Sequence, residues 1–194
     1  MKAICVYCGV QPGRRPAYLA AALATGEAIA RAGLTLVYGG GRLGLMGALA
    51  DAALGAGGQV VGVMPADLVA KEIAHRGLSE LHVVHSMHER KWKLAELADG
   101  FLTLPGGAGT LEEFTEQWTW AQLGFHDKPS ALLNVEGYFE PLRATISRMV
   151  EEGFLAPRYA EMLIVEDRVE EVLKAFERYV PPPPRWAVPT PKFR

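Results

Sequence analysis

The sequence predicts an α/β protein whose doubly wound, mainly parallel sheet is covered by helices on both faces. Short apolar runs alternate with helix-length segments along the whole chain, which is the pattern of parallel strands joined by crossover helices. Glycine-rich turns follow two of the apolar runs. With 194 residues, of which 49% are hydrophobic, the chain has the size of one domain with a full core. We predict a single domain over residues 1–180 and a proline-rich tail over residues 181–194.

Several apolar runs have the length and composition of buried parallel strands. Pro65 and Pro105 end two of them, since proline has no N–H group for a sheet hydrogen bond. In chain order, the predicted strands are residues 3–8, 34–38, 59–64, 81–85, 101–104, 130–135 and 162–165.

The segments between these strands carry the residues that begin and end helices. Pro16 begins the first of them, which is rich in alanine, and Gly33 follows its end. The third starts with the capping box Ser86-Met-His-Glu89, and the fourth stops at Gly124. In chain order, the predicted helices are residues 16–31, 45–54, 86–98, 111–123, 139–151 and 168–179.

The stretch 101–113 combines a strand, a glycine turn and the start of a helix. Gly106, Gly107 and Gly109 are expected to adopt positive φ angles and to let a ligand approach the backbone. Thr110 is predicted as the N-cap of a helix whose unpaired N–H groups and positive dipole end face the turn. Such a corner is a favourable binding site for a phosphate group.

Two interpretations of the acidic residues at this corner stay open. In the first, Thr110-Leu-Glu-Glu113 is a capping box, and Glu113 only bonds back to the N–H of the cap residue. In the second, Glu112 and Glu113 act on the molecule that carries the phosphate, since capping needs neither three nearby glycines nor a second carboxylate. A Walker A site is excluded, because no lysine precedes Thr110.

The turn after the second strand, Gly39-Gly-Gly-Arg-Leu-Gly44, has the spacing of a dinucleotide-binding fingerprint. The match is weak, because no acidic residue stands at the end of the following strand to bind a ribose. A glycine wall formed by Gly40 and Gly41, with Arg42 available to a phosphate, explains the turn as well. Tight turns and close helix packing are the alternative explanation.

Arg90 is predicted to face the interior, since it falls in the apolar stripe of the helix 86–98. A buried arginine needs an anion, and either Glu113 or a ligand phosphate would supply one at the edge of the sheet. Lys91 flanks the same stripe, and it either contacts a ligand or extends its ammonium group to water.

Composition and charge exclude several classes of protein. The 20 Lys and Arg residues and 22 Asp and Glu residues give a net charge of −2, so no attraction to nucleic acid or to an anionic membrane is expected. The first residues enter a strand instead of a signal peptide, so a cytoplasmic location is expected. Cys5 and Cys8 are interpreted as structural, since they face opposite sides of one strand. The spacing of the histidines indicates no metal site.

Two motifs together resemble one family. Met87-His-Glu-Arg-Lys91, followed by Leu104-Pro-Gly-Gly-Ala-Gly-Thr-Leu-Glu-Glu113, is similar to the sequence pattern of the Lonely Guy (LOG) family. This family comprises cytokinin riboside 5′-monophosphate phosphoribohydrolases that were long labelled lysine decarboxylases. The resemblance extends over about residues 1–180. It implies a Rossmann-like sheet and a homodimer, or a higher homo-oligomer, with sites close to the subunit interface.

The resemblance also implies roles for single residues. Arg90 and Glu113 would be the catalytic pair. The implied substrate-binding residues are Glu72, Arg90, Lys91, Gly107, Ala108, Gly109, Thr110, Leu111, Glu112, Glu113 and Thr119. Secondary candidates are Gly9, Gly40, Gly41 and Arg42. In the loop after the first strand, Val10 and Gln11 stand where many members have two serines, so these two positions offer no hydroxyl group.

The predicted reaction is hydrolysis of the N-glycosidic bond of a purine nucleoside 5′-monophosphate to free base and ribose 5-phosphate. The sequence leaves open whether the substrate is AMP or an N6-modified AMP. A nucleotide or cofactor carrier without turnover is the alternative. A pyridoxal-phosphate decarboxylase would need a lysine that forms a Schiff base, and no lysine stands in such a context. The expected partner is therefore a small nucleotide, with no cofactor and no metal.

Overall fold

The computed structural model describes residues 1–71 and 73–185; Glu72 and residues 186–194 of the predicted tail lie outside the described residues. The strands are β1 (Ala3–Tyr7), β2 (Thr35–Tyr38), β3 (Val60–Pro65), β4 (Glu80–Val84), β5 (Phe101–Thr103), β6 (Ser130–Leu133) and β7 (Leu163–Glu166). The helices are α1 (Pro16–Arg31), α2 (Gly44–Gly55), α3 (Ala66–Ala70), α4 (Met87–Leu97), α5 (Ala108–Leu123), α6 (Glu140–Glu151), α7 (Pro157–Glu161) and α8 (Val169–Arg178), with a 3₁₀ turn at Val135–Gly137. Within the described residues, no helix is long and apolar enough to cross a membrane.

The strands of the described residues form one parallel sheet with the order β4-β3-β2-β1-β5-β6-β7. The chain moves outward from β1 to β4 and then returns to the other side of β1 with β5. The carboxyl ends of β1 and β5 therefore border the crevice in which open parallel sheets bind their ligands. The predicted doubly wound α/β fold is confirmed.

Helices cover both faces of the sheet, as predicted. On one face, α1, α2 and α8 pack on strand side chains that include Ile4 and Leu102. On the other face, α4 packs on a layer that includes Cys5, while α5, α6 and α7 pack around Leu132. Cys8 belongs to the first of these cores, and both cysteines are buried free thiols. Their predicted placement on opposite sides of one strand is therefore confirmed.

Some predicted boundaries differ from those of the structure. Helix α5 begins at Ala108, with Gly107 as its N-cap and no side-chain cap hydrogen bond. Thr110 therefore lies inside the first turn, and its prediction as the N-cap is wrong. The strand predicted to reach residue 135 ends at Leu133, where the backbone of Asn134 turns away with ψ of 54°. Helices α3 and α7 have five residues each, which is too short to produce a periodic apolar pattern in the sequence.

The first part of the proline-rich tail packs against its own domain. The backbone N–H of Arg185 donates to the carbonyl oxygen of Gln122 at 2.8 Å. A Cβ atom added at Gly124 would lie 2.8 Å from Cβ of Pro184, so the glycine allows this close approach. Residues 181–185 therefore lie across the carboxyl end of α5.

His126, in the connection between α5 and β6, is a buried histidine that the fold keeps neutral. It is 4% exposed, and its ring lies 5.3 Å from that of Phe101. Its Nδ1 accepts the N–H of Lys128 at 3.2 Å. Burial, together with the nearby positive charge of Lys128, lowers the pKa of His126 to about 4.

We expect the free energy of unfolding to fall as the pH decreases from about 6.5 to about 4. In this range the unfolded chain binds a proton at His126 and the folded chain does not, which lowers the free energy of unfolding by about 3 kcal/mol. Urea unfolding across this range is the measurement. In His126→Asn, the side-chain oxygen can still accept from the N–H of Lys128. Over the same pH range, the free energy of unfolding of this variant should fall by less than that of the wild type. The control His85→Gln, at an exposed histidine, should keep the full dependence; a full dependence in His126→Asn would contradict the prediction.

Candidate active site

Turns that follow β1, β2 and β5 meet at the carboxyl edge of the sheet. The N–H of Gly9, after β1, donates to the carbonyl oxygen of Pro105, after β5, at 3.1 Å. The carbonyl oxygen of Gly9 accepts the N–H of Leu45, at the start of α2, at 3.2 Å. A cleft of about 290 Å³ lies beside these turns, with Tyr18 and Tyr138 in its wall. The glycine turns identified in the sequence therefore belong to one site.

The glycine corner, residues 106–110, begins α5 without help from a side chain. Gly107 is the N-cap, and a glycine has no side chain that could accept from the N–H groups of the first turn. Gly107, Ala108 and Gly109 are exposed. The N–H of Leu111 donates to the carbonyl oxygen of Gly107 at 3.2 Å, and the N–H groups before it in the first turn have no intrahelical acceptor. Together with the helix dipole, these groups favour an anion at this position.

The glycines of the corner provide space and not a left-handed backbone. None of Gly106, Gly107 and Gly109 has a positive φ angle, so the predicted positive φ angles are wrong. A Cβ atom at Gly106 would lie 2.2 Å from Oγ1 of Thr110, because the buried threonine hydroxyl folds back under the turn. Nothing lies within 4 Å of a Cβ atom added at Gly107 or Gly109. That space is open to a ligand.

Glu113 forms an ion pair with Arg90 beside this corner. Nη1 of Arg90 donates to Oε1 of Glu113 at 2.9 Å, and the two side chains are 12% and 13% exposed. Since α5 begins at Ala108, Glu113 lies in the second turn of the helix, beyond the reach of a capping box. The capping interpretation is therefore wrong, and the structure brings together the two residues of the implied catalytic pair.

Besides Glu113, the guanidinium group of Arg90 has close neighbours in β3 and in the turn after β2. Its Nε donates to the carbonyl oxygen of Val63, in β3, at 3.1 Å. Gly39, directly after β2, leaves the room that the group needs, since an added Cβ atom would lie 2.0 Å from Nη2 of Arg90. Gly39 is a site residue that the sequence interpretation does not single out. Its position as the first glycine of the triple-glycine turn is the signal that points to it.

The pKa of Glu113 is raised above its ordinary value, because burial of the carboxyl group outweighs the stabilising charge of Arg90. The negative charge of Glu112 adds to the rise. The pKa of Glu113 therefore depends first on desolvation and second on the charge of Arg90. A carboxyl group with a raised pKa is better matched to proton transfer near neutral pH than an ordinary surface glutamate.

Lys91 binds two carboxylates of α5. Its Nζ donates to Oε1 of Glu112 at 2.5 Å and to Oε1 of Glu116 at 2.9 Å, and the residue is 8% exposed. Burial lowers the pKa of Lys91, but the hydrogen bonds with these carboxylates outweigh it, so the net shift is upward. Lys91 thus joins α4 to α5. A lysine that forms a Schiff base with pyridoxal phosphate must attack the cofactor aldehyde as a neutral amine. The persistently charged ammonium group of Lys91 does not fit that role.

The other candidate residues are distributed around the corner and beyond it. Gly40 and Gly41 are buried in the turn after β2, where Gly40 has a φ angle of 78°. Arg42 is exposed at the end of this turn. Thr119 is exposed on the outer side of α5, next to Trp120, and does not line the cleft at the glycine corner. Within residues 1–71 and 73–185, no three His, Cys, Asp or Glu side chains are grouped as metal ligands.

Comparisons with known proteins identify the family. The family model described as "Possible lysine decarboxylase" matches residues 46–176. A cytokinin riboside 5′-monophosphate phosphoribohydrolase of Rhodococcoides fascians is 51% identical over 175 residues, which cover 90% of this chain and 88% of that protein. LOG1 of Arabidopsis thaliana, described by the same enzyme name, is 44% identical over 180 residues, covering 93% of this chain and 84% of that protein. The chain belongs to the LOG family.

The enzyme class of this LOG protein is therefore phosphoribohydrolase. Solved structures support its fold. A molybdenum cofactor carrier protein of Chlamydomonas reinhardtii superposes with a TM-score of 0.71 at 21% identity, over 92% of this chain and 96% of that chain. A molybdenum cofactor binding protein of Rippkaea orientalis gives 0.70 at 21% identity, over 92% and 97%. This likeness shows the fold alone, and it confirms the Rossmann-like sheet implied for a LOG protein.

Proposed function

We propose that the protein hydrolyses the N-glycosidic bond of purine nucleoside 5′-monophosphates, AMP or N6-modified AMP, to free base and ribose 5-phosphate. The observation that carries this proposal is the largely buried pair of Arg90 and Glu113, located beside an exposed, uncapped helix start. The names of the relatives from Rhodococcoides fascians and Arabidopsis thaliana support the substrate class, since both are described as acting on cytokinin riboside 5′-monophosphate.

The glycine corner would bind the 5′-phosphate of the substrate. Gly107 and Gly109 leave open space, and the free N–H groups of the first turn supply donors for the phosphate oxygens. Glu113 follows Gly109 by about one helical turn, a rise of about 6 Å. A ribose held by its phosphate at the corner therefore places its anomeric carbon within reach of Glu113.

Glu113 would act on the anomeric carbon, C1′. As the bond from C1′ to the base nitrogen breaks, positive charge develops on the ribose ring, and a carboxylate stabilises it. Water adds to C1′ and gives a proton to Glu113, while the base leaves with the bonding electrons and takes up a proton from solvent. Glu113 then releases its proton to solvent, so the net change is the addition of one water molecule. Arg90 orients Glu113 and contacts the sugar hydroxyls, while Lys91 keeps α4 and α5 in register through Glu112 and Glu116.

Incubation of the full chain with AMP or an N6-substituted AMP tests the proposal. Chromatography of the base and an assay for ribose 5-phosphate should show both products in equal amounts, and the two initial rates decide which nucleotide is preferred. Adenosine should release no base, because it lacks the phosphate that the corner holds. Tight binding of nucleotide without any release would instead favour a carrier, a function named for the Chlamydomonas reinhardtii protein with the same fold.

We expect Gly109→Ala to fold normally and to bind the nucleotide phosphate poorly. Nothing lies within 4 Å of the added Cβ atom, and alanine favours a helix by about 1 kcal/mol over glycine, but the methyl group enters the space assigned to the phosphate. The loss of one charge-assisted hydrogen bond would raise KM for AMP about tenfold, with a Tm equal to or above that of the wild type. Gly55→Ala, also without a neighbour within 4 Å, is the control for the substitution itself. A wild-type KM in Gly109→Ala would contradict the placement of the phosphate.

We also propose that the protein is a homodimer that associates through α4. Met87, Trp92 and Phe125 are 47%, 53% and 37% exposed. The ring of Trp120 lies 5.8 Å from that of Trp92 and 6.4 Å from that of Phe125, so one aromatic patch joins α4 to the end of α5. Patches of this kind mark protein interfaces, and Met87 and Trp92 flank Arg90 along α4. Light scattering should give twice the chain mass of 21.1 kDa, and a monomer at micromolar concentration would contradict the proposal.

A further inference from the structure

The segment after β6 holds one carbonyl group of the glycine corner. The hydroxyl of Tyr138 donates to the carbonyl oxygen of Gly106 at 2.5 Å. This carbonyl belongs to the peptide group between Gly106 and Gly107, and few steric barriers oppose the rotation of a peptide between two glycines. In a trans peptide the C=O and N–H bonds point in opposite directions. A hydrogen bond that fixes the Gly106 carbonyl therefore also fixes the direction of the Gly107 N–H.

Aromatic and backbone contacts keep Tyr138 in position. Its ring makes edge-on contacts with the rings of Tyr18, at 5.6 Å, and Phe139, at 5.0 Å. Asn134 closes the turn that carries Tyr138, because its Oδ1 accepts the N–H of Phe139 at 2.8 Å. Tyr138 itself is 37% exposed, so these contacts, and not burial, determine where its hydroxyl lies.

The same turn contains a strained residue. Among the described residues, Glu136 is the one non-glycine residue with a positive φ angle, 48°. Such a conformation persists where the surrounding structure holds it. The carboxylate of Glu136 pairs with Nη1 of Arg15 at 2.7 Å, but the two side chains are 45% and 61% exposed, and exposed ion pairs contribute little. The main support of the turn is therefore Asn134 and the aromatic contacts of Tyr138.

We propose that Tyr138 is a positioning residue of the phosphate corner, which directs the Gly107 N–H toward the 5′-phosphate by holding the Gly106 carbonyl. The proposal rests on the proposed function, because it assigns the corner to a phosphate. The hydrogen bond to Tyr138 also polarises the peptide group and makes its N–H a stronger donor. Tyr138 acts through this peptide, so the affinity for the phosphate depends on the hydroxyl, whereas the chemical step at C1′ does not.

Tyr138→Phe tests this role, since it keeps the aromatic ring and removes the hydroxyl. Calorimetric titration with ribose 5-phosphate and with inorganic phosphate should show an affinity about fivefold to tenfold lower than that of the wild type, the loss expected for one hydrogen bond. KM for AMP should rise by the same factor, with kcat changed by less than about twofold. The amide resonance of Gly107 should shift in the NMR spectrum, and Tm should stay close to that of the wild type.

Two variants serve as controls. Tyr159→Phe removes a phenol hydroxyl that donates to the carbonyl oxygen of Pro183, away from the corner, and should leave the phosphate affinity unchanged. Glu136→Gln removes the exposed ion pair with Arg15 and should change the affinity by less than about twofold. An unchanged affinity for ribose 5-phosphate in Tyr138→Phe, or an equal loss in Tyr159→Phe, would overturn the role of Tyr138.

The titration separates this role from the enzymatic activity. If the wild type binds ribose 5-phosphate but hydrolyses no nucleotide, the proposed reaction fails, and the comparison of Tyr138→Phe with the wild type still decides whether the tyrosine positions the corner. If the wild type binds neither ribose 5-phosphate nor inorganic phosphate, both the proposed function and the role of Tyr138 are overturned.

Discussion

Glu113→Gln is expected to lower kcat for AMP by about 10³-fold, within the range typical of general acid–base catalysts. The amide carries no negative charge to stabilise the ribose cation and accepts no proton from water, so both contributions of the carboxylate are lost. Its oxygen can still accept the hydrogen bond that Arg90 donates at 2.9 Å in the wild type. The dissociation constant for AMP should therefore change by less than about threefold. Single-turnover kinetics and calorimetry measure the two effects separately.

Glu116→Gln is the matched control for this change. It makes the same substitution on the same helix, and Lys91 keeps its hydrogen bond with Glu112, so kcat should stay close to the wild-type value. The pH profile gives a second measure. Because burial raises the pKa of Glu113 from its ordinary value of 4.5, kcat of the wild type should begin to fall, as the pH is lowered, before pH 4.5 is reached. Undiminished turnover in Glu113→Gln would remove this carboxylate from the mechanism.

Gly39→Ala should produce the second largest loss, although residue 39 lies outside the ligand cleft. The new Cβ atom would be 2.0 Å from Nη2 of Arg90. The end of a flexible side chain gives way more readily than the backbone, so the fold should persist while the guanidinium group leaves Glu113. A displacement of about 1 Å in a catalytic group costs about 10²-fold in rate, and kcat for AMP should fall by this factor.

A double-mutant cycle with Arg90→Gln provides the control for Gly39→Ala. If the alanine acts only by displacing Arg90, the double variant should be no slower than Arg90→Gln alone, because the two changes remove the same interaction. Tm and circular dichroism of Gly39→Ala should remain near those of the wild type. Wild-type kcat in Gly39→Ala, or fully additive losses in the double variant, would show that Gly39 does not act through the guanidinium group.

The fold and the meeting of the glycine turns at one edge of the sheet could be predicted, because both depend on local patterns. Alternating apolar runs and helix-length segments indicate a parallel sheet, and a glycine turn after such a run lies at its carboxyl edge. The inward orientation of Arg90 follows from helical periodicity, since residues on one face recur at regular spacing. The start of α5 was harder to predict, because Ala108 begins the helix without a capping side chain, and Thr110 offered a false cap.

Contacts between distant segments could not be predicted in the same way. From its position beside the apolar stripe of α4, Lys91 was expected to contact a ligand or to reach water. In the structure its ammonium group bonds to Glu112 and Glu116. Gly39 looks like any glycine of a tight turn until the guanidinium group of Arg90 is found against it. The hydroxyl of Tyr138 reaches Gly106 across 32 positions of the chain, a separation that carries no periodic signal.

The sequence by itself determined the parallel α/β fold, the glycine corner before α5 and the buried face of Arg90, because neighbours along the chain encode periodicity and turn chemistry. Only the tertiary structure decided that Glu113 pairs with Arg90 instead of capping its helix and that Lys91 joins two helices. It also decided that Gly39 lies against Arg90 and that Tyr138 bonds to Gly106. These relations depend on how closely separate strands and helices approach one another. That approach is determined by packing of the whole core, which no local stretch of the sequence contains.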